Sequence, residues 1–436
     1  MYSTPSTSSI DVLIMCALQD EYDQLIEVNN GISNNWQEFN VSDRNASKAE
    51  FVTDSGITIT IVATWVASMG RESIQAIVGH LISKLNPKCL AMSGICAGRR
   101  GKTQLGDVIF ADRLWSYDAG KRVVENGIEV FQGDMLQYKP SETIVQNMQR
   151  ISTLYKNQDM AWMNLKPQYS LEVQESWVLK QLIGSKNPTE QDDFDEKCPD
   201  WSNVILRLRK RGYIEKPIKL TEAGIEFIQE LLLLNPKGLP AEPEFSVHVA
   251  PIATGATVTE DDQIYNKLSS YMRKVLGLDM EGSGLAASAD SYDIPFIFAK
   301  GVSDFADPYK DDRYRTFAAR ASAELLILLL RNSEYLFTSK EDKLTETESV
   351  NMDSDDVVRL LAELYPDFDE TQVLWERAGG KLSDLESKSR PYTRWHNIWK
   401  KVKQGSEVTP KALLQIVQKD NPQHSAIESL LNAYQA

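Results

Sequence analysis

Two stretches of the chain, GLDMEGSG at 277–284 and KGVSDFAD at 300–307, bring carboxylates into settings dominated by small and apolar residues. A third, LQDEYDQL at 18–25, sets Glu21 just past the first strand-like run, DVLIMCAL. Carboxylates held in differing surroundings can divide the labour of acid and base. An acid alone at a strand end is commonly a helix cap or a solvated loop residue. Glu21, Glu281 and Asp304 all fall at predicted strand ends, and in an α/β sheet the crevice at those ends is where ligands bind. The arrangement points to one shared site.

Other chemistries have weaker grounds. His80, His248, His396 and His424 lie far apart, and none stands near Cys198 at metal-ligand spacing, so neither a metal site nor a Cys–His nucleophile is expected. There is no GxxxxGK[ST] phosphate loop. SGICAGRRGK at 93–102 is a glycine-containing turn after an apolar strand, where backbone N–H groups could meet a ligand.

The elements that must position these acids follow from periodicity. From residue 10 to about 155, strand-like runs (DVLIMCAL, ITITIVATW, KCLAMSG, DVIFADRLW) alternate with helix-like ones, the clearest placing Ile144, Met148, Ile151 and Tyr155 on one face. The alternation means an α/β domain, which resumes at FSVHVAPIAT and runs through a helix at 261–275 to PFIFAKGVSD and an apolar helix near 315–331. Residues 10–156 and 245–337 are therefore read as one domain, interrupted by an insertion at 157–244. Within the insertion, WSNVILRLRKRGYIEKPIKLTEAGIEF reads as a helix, a turn at Gly212, a short strand pair and a helix capped by Thr221. That order resembles a winged-helix module. Its Arg207, Arg209, Lys210 and Arg211 leave nucleic-acid contact open, although a solvated helix face is the plainer reading.

The polar stretch at 338–352 has the composition of a linker, and 353–436 reads as an all-α domain with Trp395, Ile398, Trp399 and Val402 on one core-facing stripe. Over 436 residues, 42% hydrophobic and 25% charged content suits a globular protein, and a net charge of −15 disfavours general attraction to nucleic acid or anionic membrane. No secretory signal or membrane span is expected, and four scattered cysteines suit a reducing cytoplasm.

CALQDEYDQL, SGICAGRRGKTQLGDVIFAD, GLDMEGSGLAAS and KGVSDFADPYKDDRYRTFAARASA together resemble the nucleoside phosphorylase superfamily, in its methylthioadenosine/S-adenosylhomocysteine nucleosidase branch. The resemblance implies a three-layer α/β/α fold, at least a dimer, and no metal or organic cofactor. It implies that Glu21 positions an attacking water, Glu281 holds the ribose hydroxyls beside Met280, and Asp304 protonates the purine. It extends the substrate-binding set to Ser303, Cys96, Ala97, Val258 and Met69. Glu21 favours hydrolysis, while Arg71 keeps phosphorolysis open.

One departure from that branch concerns charge. Where a thioether would want an apolar pocket, this chain carries Arg99, Arg100 and Lys102, then Lys300, then Lys310, Arg313 and Arg315. Arg99, Lys300 and Lys310 are expected around a 5′ phosphate chain, which suggests ATP or AMP. The C-terminal segment in turn resembles effector-associated domains of prokaryotic conflict systems, which implies a partner protein and an antiphage effector that depletes nucleotides. The alternatives are a methylthioadenosine/S-adenosylhomocysteine nucleosidase, or a nucleoside-sensing regulator with a DNA-binding insertion.

Overall fold

The computed structural model describes residues 10–337 except 135, 158–159, 240, 257–260 and 262, together with 354–421 except 386–388 and 404–407, and residues 424 and 427. The expected linker at 338–352 and the substrate contact at Val258 lie outside the described residues. The chain divides into two compact units, Met1–Phe337 and Thr338–Ala436. Among the described residues no helix is long and apolar enough to cross a membrane.

The first unit is built on one large mixed sheet. Its first half runs β1 (Val12–Cys16), α1 (Gln19–Leu25), β2 (Ile32–Val41), β3 (Arg44–Val52), β4 (Thr58–Trp65), α2 (Arg71–Leu85), β5 (Cys89–Gly98) and β6 (Val108–Ser116). A hairpin, β7 (Gly120–Glu125) and β8 (Ile128–Gly133), the short β9 (Gln137–Tyr138) and α3 (Glu142–Leu154) follow. After the insertion come β12 (Val247–Thr254), α8 (Ile264–Ser269), β13 (Gly277–Asp279), α9 (Gly282–Ser291), β14 (Phe296–Asp304) and α10 (Tyr314–Arg331).

Strand order is β13-β12-β6-β14-β5-β1-β4-β3-β2. β14, β5, β1 and β4 are mutually parallel and fully buried along most of their length, as expected for strands covered on both faces. Helices α1, α3 and α10 cover one face and α2 and α9 the other, which makes the three layers. The sheet does not stay open, however. β13 pairs in parallel with β12 and also antiparallel with β5, so five strands close into a ring at the end where the acids collect. The helix expected over 261–275 is confined to Ile264–Ser269, because the chain must turn into β13 at Gly277.

The insertion packs around its own apolar cluster, including Trp177, Val178, Val204, Leu208, Ile214 and Ile228. It contains α4 (Leu171–Ile183), α5 (Phe194–Lys197), α6 (Trp201–Lys210), a two-stranded hairpin of β10 (Ile214–Glu215) and β11 (Lys219–Leu220), and α7 (Glu222–Leu234). Thr221 caps α7, its Oγ1 accepting from Gly224 N at 3.1 Å.

The second unit holds α11 (Ser354–Leu364), α12 (Phe368–Arg377), α13 (Pro391–Lys403) and α14 (Pro410–Asp420). Trp375, Trp395 and Trp399 are fully buried in its core.

Candidate active site

The ring of strands ends in a cavity of about 290 Å³, lined by Glu21, Met69, Cys96, Ala97, Asp279, Met280, Glu281, Ser303, Asp304, Lys310 and Arg315, with Ala17, Leu18, Ile95 and Leu278. The three acids named from sequence thus meet in one place.

Glu21 is fixed by backbone. Its Oε2 accepts from Ala17 N (2.8 Å) and Leu18 N (3.1 Å), and its Oε1 from Ile95 N (2.8 Å). Gly94 must be glycine for this to happen, since a Cβ there would stand 2.4 Å from Glu21 Oε1. Burial pushes the Glu21 carboxyl up from its ordinary range and Glu281 adds to the rise, while Lys300 and the N–H groups of Ile95 and Ala17 oppose it.

Glu281 stands at the start of α9, its Oε1 accepting from Gly70 N at 3.0 Å. Gly70 adopts φ 109° as α2 begins, a conformation that favours glycine and brings Met69 to the cavity. Two residues earlier, Asp279 is an acid that the sequence reading missed. It accepts from Thr254 Oγ1 (2.8 Å), Glu281 N (3.2 Å) and Gly282 N (3.0 Å), and so organises the turn into α9. Burial raises its pKa to about 6, against the pull of Lys300 and with Glu281 adding to the rise. The D-x-E spacing in LDMEG was the available signal, because acids two apart at a strand end can share one turn.

Asp304 owes its orientation to an irregular strand. β14 pairs Val302 with Cys96 but Asp304 with Ala97, so Ser303 is an extra residue in the ladder. In a regular strand adjacent side chains face opposite ways; this bulge lets both Ser303 and Asp304 line the cavity. Asp304 accepts from Ser303 Oγ (3.0 Å) and from Ala306 N (2.8 Å), with Ala306 in the left-handed region at φ 57°.

The expected cations redistribute. Lys300 is 0% exposed and does not line the cavity. Its Nζ lies 3.9 Å from both Asp279 Oδ2 and Glu281 Oε2, beneath the acids. Burial lowers its pKa, but Glu21, Asp279 and Glu281 more than offset that, and the net direction is upward. Lys300 is therefore the internal counter-charge of the carboxylates, a correction to its expected place around a 5′ chain. The reason is register: it lies four residues before Asp304 on a strand buried along both faces.

Arg99 also leaves the site, its Nη1 donating to Arg273 O at 3.0 Å. Arg100 turns to Asp307 and Glu172, and Arg313 to Asp200 and Asp311. Arg71 is held by Asp118 through both carboxylate oxygens, at 2.8 and 3.1 Å, and does not line the cavity. Lys310 and Arg315 remain at the cavity, the latter paired with Asp20. Cys96 lines it too, but burial drives its thiol far up, which leaves it protonated and unsuited to attack.

Residues 11–166 match the family model described as the phosphorylase superfamily. The chain is 25% identical over 274 residues to y4jS, an uncharacterised protein of Sinorhizobium fredii, covering 62% of this chain and 49% of that one. It is 23% identical over 265 residues to the ATP nucleosidase Cap17 of Escherichia coli, covering 61% of this chain and 40% of that one. A death domain-containing ATP nucleosidase of Amphimedon queenslandica is 32% identical over 88 residues, 19% of this chain and 16% of that one. The chain thus spans about half or less of the length of these curated relatives. Among solved structures, the 5′-methylthioadenosine/S-adenosylhomocysteine nucleosidase of Neisseria meningitidis superposes with a TM-score of 0.44 at 13% identity, covering 74% of this chain and 98% of that one. The futalosine hydrolase of Helicobacter pylori gives 0.44 at 11% identity, covering 74% and 97%.

Proposed function

We propose that this chain, whose residues 11–166 match the phosphorylase superfamily model, hydrolyses the N-glycosidic bond of an adenine nucleotide, ATP or AMP, and releases adenine. The observation that carries the reading is the meeting of Glu21, Glu281 and Asp304 in one cavity with Lys310 and Arg315. The names of the curated relatives, two of them ATP nucleosidases, support the substrate class.

The chemistry follows from the environments. The C1′–N9 bond breaks readily when the base leaves as a neutral purine and C1′ takes on oxocarbenium character. Asp304 gives its proton to N7 of the adenine. Glu21 accepts a proton from water as the water oxygen bonds to C1′, and a carboxylate whose pKa has been raised toward neutrality is the better base. Glu281, with one oxygen on Gly70 N, presents the other to the ribose hydroxyls. Lys300 keeps the carboxylates tolerable beneath the site. The products are adenine and the ribose carrying its 5′ phosphates.

The capture of Arg71 by Asp118 supports hydrolysis over phosphorolysis, because the arginine expected to bind inorganic phosphate already has a carboxylate. The wider role extends this reading: depletion of nucleotides as an antiphage effector, acting as a homo-oligomer and engaging a partner protein through the C-terminal helices. Purified protein incubated with ATP, AMP, adenosine and methylthioadenosine, with released bases identified by mass spectrometry, tests it. Adenine from ATP or AMP well ahead of the others is expected. Faster cleavage of methylthioadenosine would replace this reading with a thionucleoside nucleosidase. Binding of nucleosides without turnover would favour a sensing role.

A further inference from the structure

Residues 305–313 join β14 to α10 directly after Asp304, and the insertion grips this turn from outside the sheet. Arg207 of α6 donates from Nη1 to the carbonyl oxygens of Tyr309 and Lys310, while its Nε donates to Glu175 Oε1 at 2.8 Å. Lys210, on the same helix, donates to Pro308 O at 2.9 Å. Three successive carbonyls of the turn are thereby met by cations of one helix end. The Arg211 guanidinium lies over the Tyr309 ring at 4.4 Å. From the α/β side Arg100 holds Asp307, whose other oxygen accepts from Tyr309 N at 2.8 Å. The Arg207 side chain is only 11% exposed and that of Glu175 only 4%, so this is a built contact rather than a surface encounter.

The position of this turn gives the contact its meaning. Lys310, one of the two cations lining the cavity, is the residue whose carbonyl Arg207 holds. We propose that Arg207 is a positioning residue: from the insertion it fixes the Pro308–Lys310 turn so that Lys310 stands at the cavity, and the insertion thereby sets the affinity of the site for nucleotide phosphates. The inference rests on the reading of the cavity as a nucleotide site. It also gives a use to basic residues of α6 that the sequence left between nucleic acid and solvent. A planar guanidinium can serve two carbonyls and a carboxylate at once, whereas an ammonium cannot reproduce that fork.

Two measurements on the full chain separate this proposal from the proposed reaction. Hydrogen exchange of peptides covering 305–313 requires no turnover. Arg207→Gln and the milder Lys210→Ala should accelerate exchange there, with the sheet peptides unchanged. ATP affinity is then measured by calorimetry in an Asp304→Asn background. Adding Arg207→Gln should weaken ATP by about tenfold, the order expected for loss of one charge-assisted contact, and Arg207→Lys should recover only part of it. Unchanged exchange at 305–313 in both α6 variants would overturn the positioning role. Faster exchange with unchanged ATP affinity would overturn the link to the site, and full recovery by lysine would reduce the effect to charge alone. Wild-type protein that binds ATP but releases no adenine would sink the hydrolase reading and leave the Arg207 proposal standing.

Discussion

The floor and the mouth of the cavity treat charge in opposite ways. On the floor, Glu21, Asp279, Glu281 and Lys300 are all buried, each held by backbone or by another buried charge. At the mouth, Lys310 stands on a loop and Arg315 near a helix start, the latter paired with a half-exposed Asp20, while Asp304, the last residue of its strand, lies between mouth and floor. Burial makes the floor electrostatically strong and coupled, so any change there alters protonation and stability together. Solvent weakens the interactions at the mouth, so a change there should alter affinity for a particular substrate and little else.

The sharpest test lies where floor and mouth meet. Asp304→Asn keeps an acceptor for Ala306 N but removes the proton donor, and adenine release should fall about 10²–10⁴-fold with the melting temperature retained. Near-wild-type turnover in a folded variant would remove Asp304 from the mechanism.

On the floor itself, Lys300→Met strips three buried carboxylates of their counter-charge. A loss of about 3–5 kcal/mol is expected at pH 8. The deficit should shrink at pH 5, where Asp279, its pKa already raised to about 6, takes up a proton. Chemical denaturation at the two pH values reads this, and an equal deficit at both would deny the coupling.

Asp279 sharpens the same point. Its folded pKa of about 6 lies above the usual aspartate value near 4, so the native state holds the proton more tightly than the unfolded chain. Its contribution is fully present below pH ~4 and is lost as pH rises through about 6, on the order of 3 kcal/mol. The wild-type stability curve should therefore decline more steeply over that window than that of Asp279→Asn; parallel curves would contradict it.

At the mouth, Lys310→Ala should raise KM for ATP by about tenfold, roughly 1.4 kcal/mol, and change adenosine hydrolysis little. A fall in kcat for both substrates would move Lys310 from the mouth to the chemistry. The smallest effect is expected from ending the chain at Phe337, since the two units are separately compact. Chemical denaturation of residues 1–337 should stay within about 0.5 kcal/mol of the same unit in the whole chain, and unfolding of that piece would show the tail to be part of the first unit's core.

Much of this site was legible before any coordinates. Apolar runs ending in acids located Glu21, Glu281 and Asp304, and helix caps such as Thr221 are local features that a short window carries. Strand periodicity also showed an α/β unit, because burial on both faces leaves continuous apolar runs such as PFIFAKGV. What a window cannot carry is direction. Lys300 and Lys310 look alike as basic residues flanking SDFAD, yet strand register sends one beneath the acids and the turn brings the other to the cavity. Arg71 and Arg100 were plausible phosphate ligands until Asp118 and Asp307, distant or unremarkable in sequence, claimed them. The bulge at Ser303 depends on pairing with β5, and the closure of the sheet depends on β13 reaching two partners. Which chemistry was present could be read from residue types alone, since acid, base and cation are properties of side chains. Which charges face one another was settled by strand pairing over long range, because Coulomb and hydrogen-bond energies depend on the distances that pairing sets.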